Sequence, residues 1–455
     1  MSFCYFSKNF SAIFVVIYMK RGKMELSLLY KYFEECGVVT TDSRNCPEGS
    51  MFIALKGESF NGNAFAKQAL EKGCRYAVVD EPEWMEEANP RLLLVDDCLN
   101  ALQQLANEHR RRMGTFIVGI TGTNGKTTTK ELVAAVLQQK YNVLYTQGNL
   151  NNHIGVPLTL LRLKKEHDLA VVEMGANHPG EIRTLVNIVE PNAGLITNVG
   201  KAHLEGFGSF EGVVKTKGEL YDYLRSRENA LTFIDKDNDV LCGISECLHL
   251  MSYGVNYADD LYVKGEIGIC APYLTFTWRH EGKSYPVQTH LIGSYNIKNA
   301  LAAIAVGCYC KVPADLICKA LSEYIPSNNR SQLTETADNH LVVDAYNANP
   351  TSMAAALENF HLMEVPHKMV ILGDMKELGE SSLEEHAKVV TALNGCGFER
   401  VILVGHEFAK VNQTFEHYPD VYALQDKLKE EKPQGKYILI KGSNSMKLSI
   451  LKDNL

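Results

Sequence analysis

The sequence predicts an α/β protein of several domains, and three observations carry that prediction. At 455 residues the chain exceeds what one ordinary core fills, so roughly two to four domains are expected. Apolar strands alternate with helical stretches through its middle and last parts, the pattern of a parallel, doubly wound sheet. Between a strand at Thr115–Gly119 and a helix at Thr127–Lys140 stands Ile120-Thr121-Gly122-Thr123-Asn124-Gly125-Lys126-Thr127-Thr128. Strand, glycine-rich turn, Lys-Thr and helix is an arrangement that binds nucleotide phosphates.

Taken in order, the N-terminus opens on an apolar run, Ser11–Met19, that is too short to span a bilayer. Its basic residues Lys20, Arg21 and Lys23 follow the run, whereas a signal peptide carries them before it. Met24 then opens a helix patterned by Leu26, Leu28, Leu29, Tyr32 and Phe33, so residues 1–23 read as an upstream extension. A first α/β block, 24–113, has short strands at Met51–Ala54 and Tyr76–Val79, turns at Gly57 and Asn61–Asn63, and a closing helix near Leu99–Arg112.

The middle block, 114–325, has strands ending at Gly119, at Glu173 after Leu169–Val172, and at Val199 after Leu195 and Ile196. Its first helix carries one apolar stripe, Leu132, Val133, Val136 and Leu137. A β-rich insert follows at Tyr262–His290, then an apolar helix from Asn299 to Gly307. The last block, 326–455, alternates again, with strands at Leu341–Val343, Met369–Leu372, Val401–Val404 and Tyr437–Ile440.

Composition narrows the function. The net charge of −8 and the absence of a Lys/Arg-rich tail argue against nucleic acid. The 12 cysteines form no C-x-x-C pair and read as small apolar residues in a reducing compartment. The protein reads as cytoplasmic, without stable membrane insertion.

In open parallel sheets, ligands bind beyond the carboxyl ends of the strands. Three strands of the middle block end in polar clusters there: the phosphate loop, Glu173–His178, and Asn198–Phe207 with His203 and Glu205. In the loop, Thr121, Gly122, Thr123, Asn124, Gly125, Lys126, Thr127 and Thr128 are the candidate nucleotide ligands. Lys126 neutralises phosphate charge and Thr127 ligates magnesium. Strict G-x-x-x-x-G-K-T spacing would need glycine where Ile120 stands, so this variant rests on its strand–helix context. Taken singly, Glu173 is a helix cap or an exposed charge and His203 an ordinary hydrogen-bonded histidine. Their shared place at strand ends makes both candidate metal ligands.

These residues lie within longer strings: T-G-T-N-G-K-T-T, Gly148–Leu161, Glu173–Ile182, Ala202–Ser209, Gly293–Ala303 and D-A-Y-N-A-N-P at Asp344–Pro350. In that order the chain, from about residue 24 to its end, resembles the Mur ligases of peptidoglycan synthesis. Within that family it is most similar to members that join D-alanyl-D-alanine to UDP-MurNAc-tripeptide. The resemblance implies three domains: a UDP-sugar domain, a central P-loop-type ATPase sheet and a C-terminal Rossmann-like domain. It also implies ATP and Mg2+ as cofactors, the tripeptide and D-Ala-D-Ala as substrates, and an acyl-phosphate intermediate; a monomer suffices.

Carried onto matching positions, Lys126 contacts the β- and γ-phosphates, Thr127 and Glu173 bind one Mg2+, and His203 helps hold a second. The family's carbamylated lysine matches Lys217, which on sequence alone is a helix lysine expected to be exposed beside Lys215. Lys126, His203 and Lys217 are thus the implied catalytic set. Asn296 and Asn299 match nucleotide contacts, though helix capping explains them equally. Arg330 would reach the ATP phosphates and Asp344 the ribose. Ser43 and Arg44, in Thr41–Arg44, match the uridine-diphosphate segment, where a turn would serve equally, and Asn149 and Asn152 are assigned to substrate. Asp235, Ser331-Gln332 and Asn444 depart from the family's usual residues.

Three other readings fit the residues less well. A sibling ligase that adds the third amino acid would carry D-N-P-R where Gly373–Gly379 stands. Folylpolyglutamate synthase would leave Tyr346–Pro350 and the first block unexplained. A nucleotide-dependent switch would need no second metal site.

Overall fold

The computed structural model describes residues 24–86, 89–256, 261–270, 272–326 and 332–455. The expected extension at 1–23 and the candidate phosphate ligand Arg330 lie outside the described residues. Two compact units make up the chain: Met1–Thr115 with Gln147–Lys165, and Phe116–Thr146 with Glu166–Leu455.

In the first unit a four-stranded parallel sheet runs in the order Val39–Thr40, Met51–Ile53, Tyr76–Val79, Leu92–Leu94. The helix Leu26–Cys36 buries Leu29, Tyr30 and Phe33. The helix Cys98–Met113 starts on an Asp97 cap and ends at Gly114 in the left-handed region. Segment Gln147–Lys165 belongs to this unit because it packs on that last helix. His109 Nε2 lies 2.9 Å from the Leu163 carbonyl, and Gln103 Nε2 donates to the His153 carbonyl at 3.0 Å.

The second unit contains two sheets. The larger has nine strands, with Leu231–Asp235, Ala193–Ile196, Phe116–Thr121, Leu169–Glu173 and Val143–Tyr145 as its parallel heart. Val263–Cys270, Tyr273–His280 and Lys283–Ile292 continue it as an antiparallel meander, the expected β-rich insert. The stripe Leu132, Val133, Val136 and Leu137 is fully buried, and the helix Asn296–Tyr309 packs beside it.

Two strand ends differ from the sequence reading. The first strand continues through Ile120 and Thr121, because Ile120 pairs with both Leu195 and Glu173 in the sheet interior. The strand expected to reach Val199 stops at Ile196, because Thr197 and Asn198 turn to grip the phosphate loop.

The smaller sheet has six strands, ordered Gln332–Glu335, His340–Asp344, Tyr437–Lys441, Lys368–Gly373, Arg400–Val404, Glu416–Tyr418. Only its first pair is antiparallel. No helix among the described residues is long and apolar enough to cross a membrane. The described cysteines are all free.

Candidate active site

The turn Gly122–Gly125 joins a buried strand to the helix Lys126–Leu137, and two of its glycines are sterically required. Gly122 has φ +142°, and a Cβ there would lie 2.0 Å from Thr197 Oγ1. Gly125 has φ +75° and lies against the Asn299 amide. The end of one neighbouring strand, Ala193–Ile196, clamps the turn: Asn124 N donates to Asn198 Oδ1 at 3.0 Å, while Asn198 Nδ2 and Thr197 Oγ1 donate to the Asn124 carbonyl at 3.0 and 2.6 Å. Thr123 N donates to the Asn198 carbonyl at 2.9 Å.

Lys126 folds over its own loop, Nζ donating to the Gly122 and Thr123 carbonyls at 2.8 and 2.9 Å. One residue on, Thr127 Oγ1 donates to Glu173 Oε2 at 2.9 Å, and both side chains are buried. Thr128 is half-buried in the same turn of helix. Glu173 is held from behind, its amide donating to Thr146 Oγ1 at 3.0 Å. Asn299 and Asn296 form a buried relay: Thr129 Oγ1 donates to Asn299 Oδ1, Asn299 Nδ2 to Asn296 Oδ1, and Asn296 Nδ2 to the Ile292 carbonyl. The two asparagines thus brace the glycine turn through the helix that follows it.

Lys217 reverses its expected exposure. It is 2% exposed, whereas Lys215 on the same helix (Phe210–Arg225) faces solvent. Its Nζ donates to the Ala176 carbonyl at 3.1 Å and stands 5.3 Å from the Phe207 ring centre. Burial, reinforced by the charge of Lys126, pushes the Lys217 ammonium well below its ordinary range. Burial also pulls the His203 imidazole down; Glu377 opposes this, and Lys126 and Lys217 add to it.

His203 occupies the left-handed region at φ 51°, and so does Glu377, at φ 63°. The His203 ring and the Glu377 carboxylate form an ion-pair contact joining the two sheets' loops. Thr121 Oγ1 is one of the buried side-chain atoms among the described residues that have no hydrogen-bond partner. Asp344, at the end of its strand, takes 2.5 Å contact from Nζ of the buried Lys441, its register partner.

The other candidates lie in the first unit. Arg44 is exposed and pairs through Nε and Nη2 with Asp42 at 2.9 and 3.0 Å. Those hydrogen bonds hold the Asp42 carboxyl down at about 2. The Ser43 carbonyl accepts from Lys72 Nζ at 2.7 Å. Asn152 Oδ1 accepts from Ile154 N and Gly155 N at 3.1 and 2.8 Å in the turn before the helix Gly155–Leu160, and the Asn149 carbonyl accepts from Asn151 N.

Sequence reasoning did not single out Thr146, Asn198, Glu377, Lys441 or Asn349. Asn198 stands at the start of a quoted strand-end cluster, Asn349 within Asp344–Pro350 and Glu377 within Gly373–Gly379, but no local feature gave any of them a task. No group of three or more His, Cys, Asp and Glu side chains forms a metal cluster among the described residues. A Thr hydroxyl beside one buried carboxylate nevertheless fits magnesium, which takes one or two carboxylates and draws further oxygens from phosphates.

Three family descriptions match successive stretches: Mur ligase family, catalytic domain, over residues 36–110; Mur ligase middle domain over 120–307; and Mur ligase, glutamate ligase domain, over 329–444. The chain is 38% identical over 417 residues to the UDP-N-acetylmuramoyl-tripeptide–D-alanyl-D-alanine ligase of Escherichia coli K12, covering 90% of this chain and 91% of that one. This chain belongs to the Mur ligase family.

The ligase of the same name from Bacillus subtilis is 36% identical, covering 91% and 92% of the two chains. Among solved structures of Mur ligases, MurF from Acinetobacter baumannii superposes with a TM-score of 0.85 at 30% identity, covering 95% of this chain and 99% of that one. MurF ligase from Thermotoga maritima, in complex with ADP, gives 0.81 at 26% identity, covering 92% and 96%. The fold is accordingly the three-domain architecture of Mur ligases.

Proposed function

We propose that this chain is an ATP-dependent amide ligase that joins D-alanyl-D-alanine to UDP-MurNAc-tripeptide, yielding UDP-MurNAc-pentapeptide, ADP and phosphate in peptidoglycan precursor synthesis. The supporting observation is 38% identity along 90% of the chain to an enzyme of that name. The phosphate loop, with Thr127 against buried Glu173, supplies a chemical reason for it.

A carboxylate is a poor electrophile toward an amine. The tripeptide's terminal carboxylate therefore attacks the γ-phosphorus of ATP, and ADP leaves with the bridging oxygen. The dipeptide's amine next attacks the acyl-phosphate carbon, loses a proton, and expels inorganic phosphate. Positioning and cationic stabilisation of the transferring group do most of the work.

Lys126 turns from its loop carbonyls to the β- and γ-phosphates, and the amides of Thr121–Thr128 line the phosphate chain. Thr127 and Glu173 would hold one Mg2+, and His203 and Lys217 a second. Bound there, the ions would neutralise phosphate charge. Lys217 serves after carbamylation. Burial favours its neutral amine, whose nitrogen bonds to CO2 with loss of a proton. Asn296, Asn299, Arg330 and Asp344 are assigned to the nucleotide, and Ser43, Arg44, Asn149 and Asn152 to the UDP-sugar. Residues 24–113, 114–325 and 326–455 are the corresponding domains. The reading assigns the enzyme to the cytoplasm, and a monomer would suffice.

The test is phosphate release by purified protein with UDP-MurNAc-tripeptide and D-Ala-D-Ala, each omitted in turn. Release must need both, and release indifferent to both contradicts the reading. Lys217→Ala should lose turnover and regain part of it with added short carboxylates.

A further inference from the structure

The helix Pro350–Leu362 begins with Asn349, a residue buried to 4% exposure whose side chain has two tasks. Its Oδ1 accepts from Ser352 N at 2.9 Å, closing a capping box in which Ser352 Oγ accepts from Asn349 N. Its Nδ2 donates to Asn124 Oδ1, in the phosphate loop, at 2.8 Å. As a cap, Asn is nearly interchangeable with Ser or Asp. The second task is different. An ionised carboxylate cannot donate, and a serine hydroxyl, which can accept and donate, does both from one oxygen set closer to the backbone. The amide holds its acceptor and donor apart and so reaches Ser352 N and Asn124 together. The cap also fixes which way the amide points, since its oxygen must face Ser352 N.

The partner is rigid. Asn124 is held at its amide and carbonyl by Asn198 and Thr197, so the side chain is the part of this residue left for the smaller sheet's domain to touch. A second contact sits beside the first. Thr351 Oγ1 accepts from Lys201 N at 3.2 Å, and a Cβ on Gly200 would come within 2.9 Å of the same oxygen. Lys201 Nζ pairs with Glu385 at 3.2 Å. The start of this helix thus rests on both loops that carry Lys126 and His203.

We propose that Asn349 is a positioning residue that sets the phosphate loop through Asn124, linking the docking of the C-terminal domain to the grip on nucleotide. The proposal rests on the nucleotide reading of that loop given above.

A double-mutant cycle tests it, using Asn349→Ser, which keeps a competent cap, and Asn124→Ala. The cycle is read on Mg·ADP affinity by calorimetry and on kcat and KM for ATP. Asn349→Ser should weaken Mg·ADP about fivefold with an unchanged melting temperature, and should add nothing in the Asn124→Ala background. Unchanged affinity in Asn349→Ser, or effects that multiply in the double variant, would overturn the inference. Wild-type protein that binds Mg·ADP but releases no peptide-dependent phosphate would refute the ligase reading, while the affinity cycle would still decide this one.

Discussion

Single residues already separate chemistry from support. Lys126 and Thr127 are proposed to meet the ATP phosphates, so Lys126→Ala should cut phosphate release at least about a hundredfold, on the order of losing one charged transition-state donor. Its melting temperature without nucleotide should stay near wild type, because the ammonium's bonds to the Gly122 and Thr123 carbonyls lie within its own loop. His386 illustrates the supporting class. It is fully buried, its Nε2 accepts from Met375 N at 3.0 Å, and its Nδ1 faces the Ser382 carbonyl at 2.7 Å. Burial lowers its pKa, so as pH falls below about 6.5 the unfolded chain takes up a proton that the folded chain resists. Its stabilising contribution is whole above that pH and is lost as pH falls through the folded value. Thermal unfolding at about pH 7.5 and pH 5.5 should therefore show a smaller acid-induced drop for His386→Gln than for wild type. Sequence made Lys126, Thr127 and Glu173 legible because strand ends and a glycine turn fix them locally. The burial of Lys217 was not legible. It depends on Ala176 and Phe207, which come from other elements.

At the scale of elements, period and punctuation carried most of the fold. The stripe Leu132, Val133, Val136 and Leu137 gave a helix, and short apolar runs gave strands at Tyr76–Val79, Leu169–Glu173 and Arg400–Val404. The sequence reading erred where tertiary contacts decide a boundary. Ile120 stays in the sheet because two neighbouring strands pair with it, and Thr197 leaves the sheet to hold Asn124. The tight approach of Thr197 to Gly122 yields a prediction. Gly122→Ala adds positive-φ strain to a clash and should cost about 2 kcal/mol or more. Gly397→Ala, also at positive φ but with nothing within 4 Å, should cost only about 1 kcal/mol. Chemical denaturation of the two variants compares them directly, and equal losses would remove the argument from close approach.

The whole molecule gathers its candidate groups by topology. Parallel strands of the nine-stranded sheet end side by side at the phosphate loop, Glu173 and the turn that leads to His203. The six-stranded sheet adds Asp344, Glu377 and Asn349. Such meetings leave no local trace: Glu377 and Asn349 lie in strings the sequence offers, but nothing there pairs them with His203 and Asn124, and segment Gln147–Lys165 gave no sign of packing with the first unit. What the assembled groups are proposed to do is make an acid reactive by phosphorylating it. The direct measurement supplies UDP-MurNAc-tripeptide with its terminal carboxylate labelled in both oxygens with ¹⁸O, together with ATP and D-Ala-D-Ala. Mass spectrometry of the products should find one labelled oxygen in the released phosphate and one in the new amide. Phosphate free of label, with both labelled oxygens still on unligated peptide, would contradict the account.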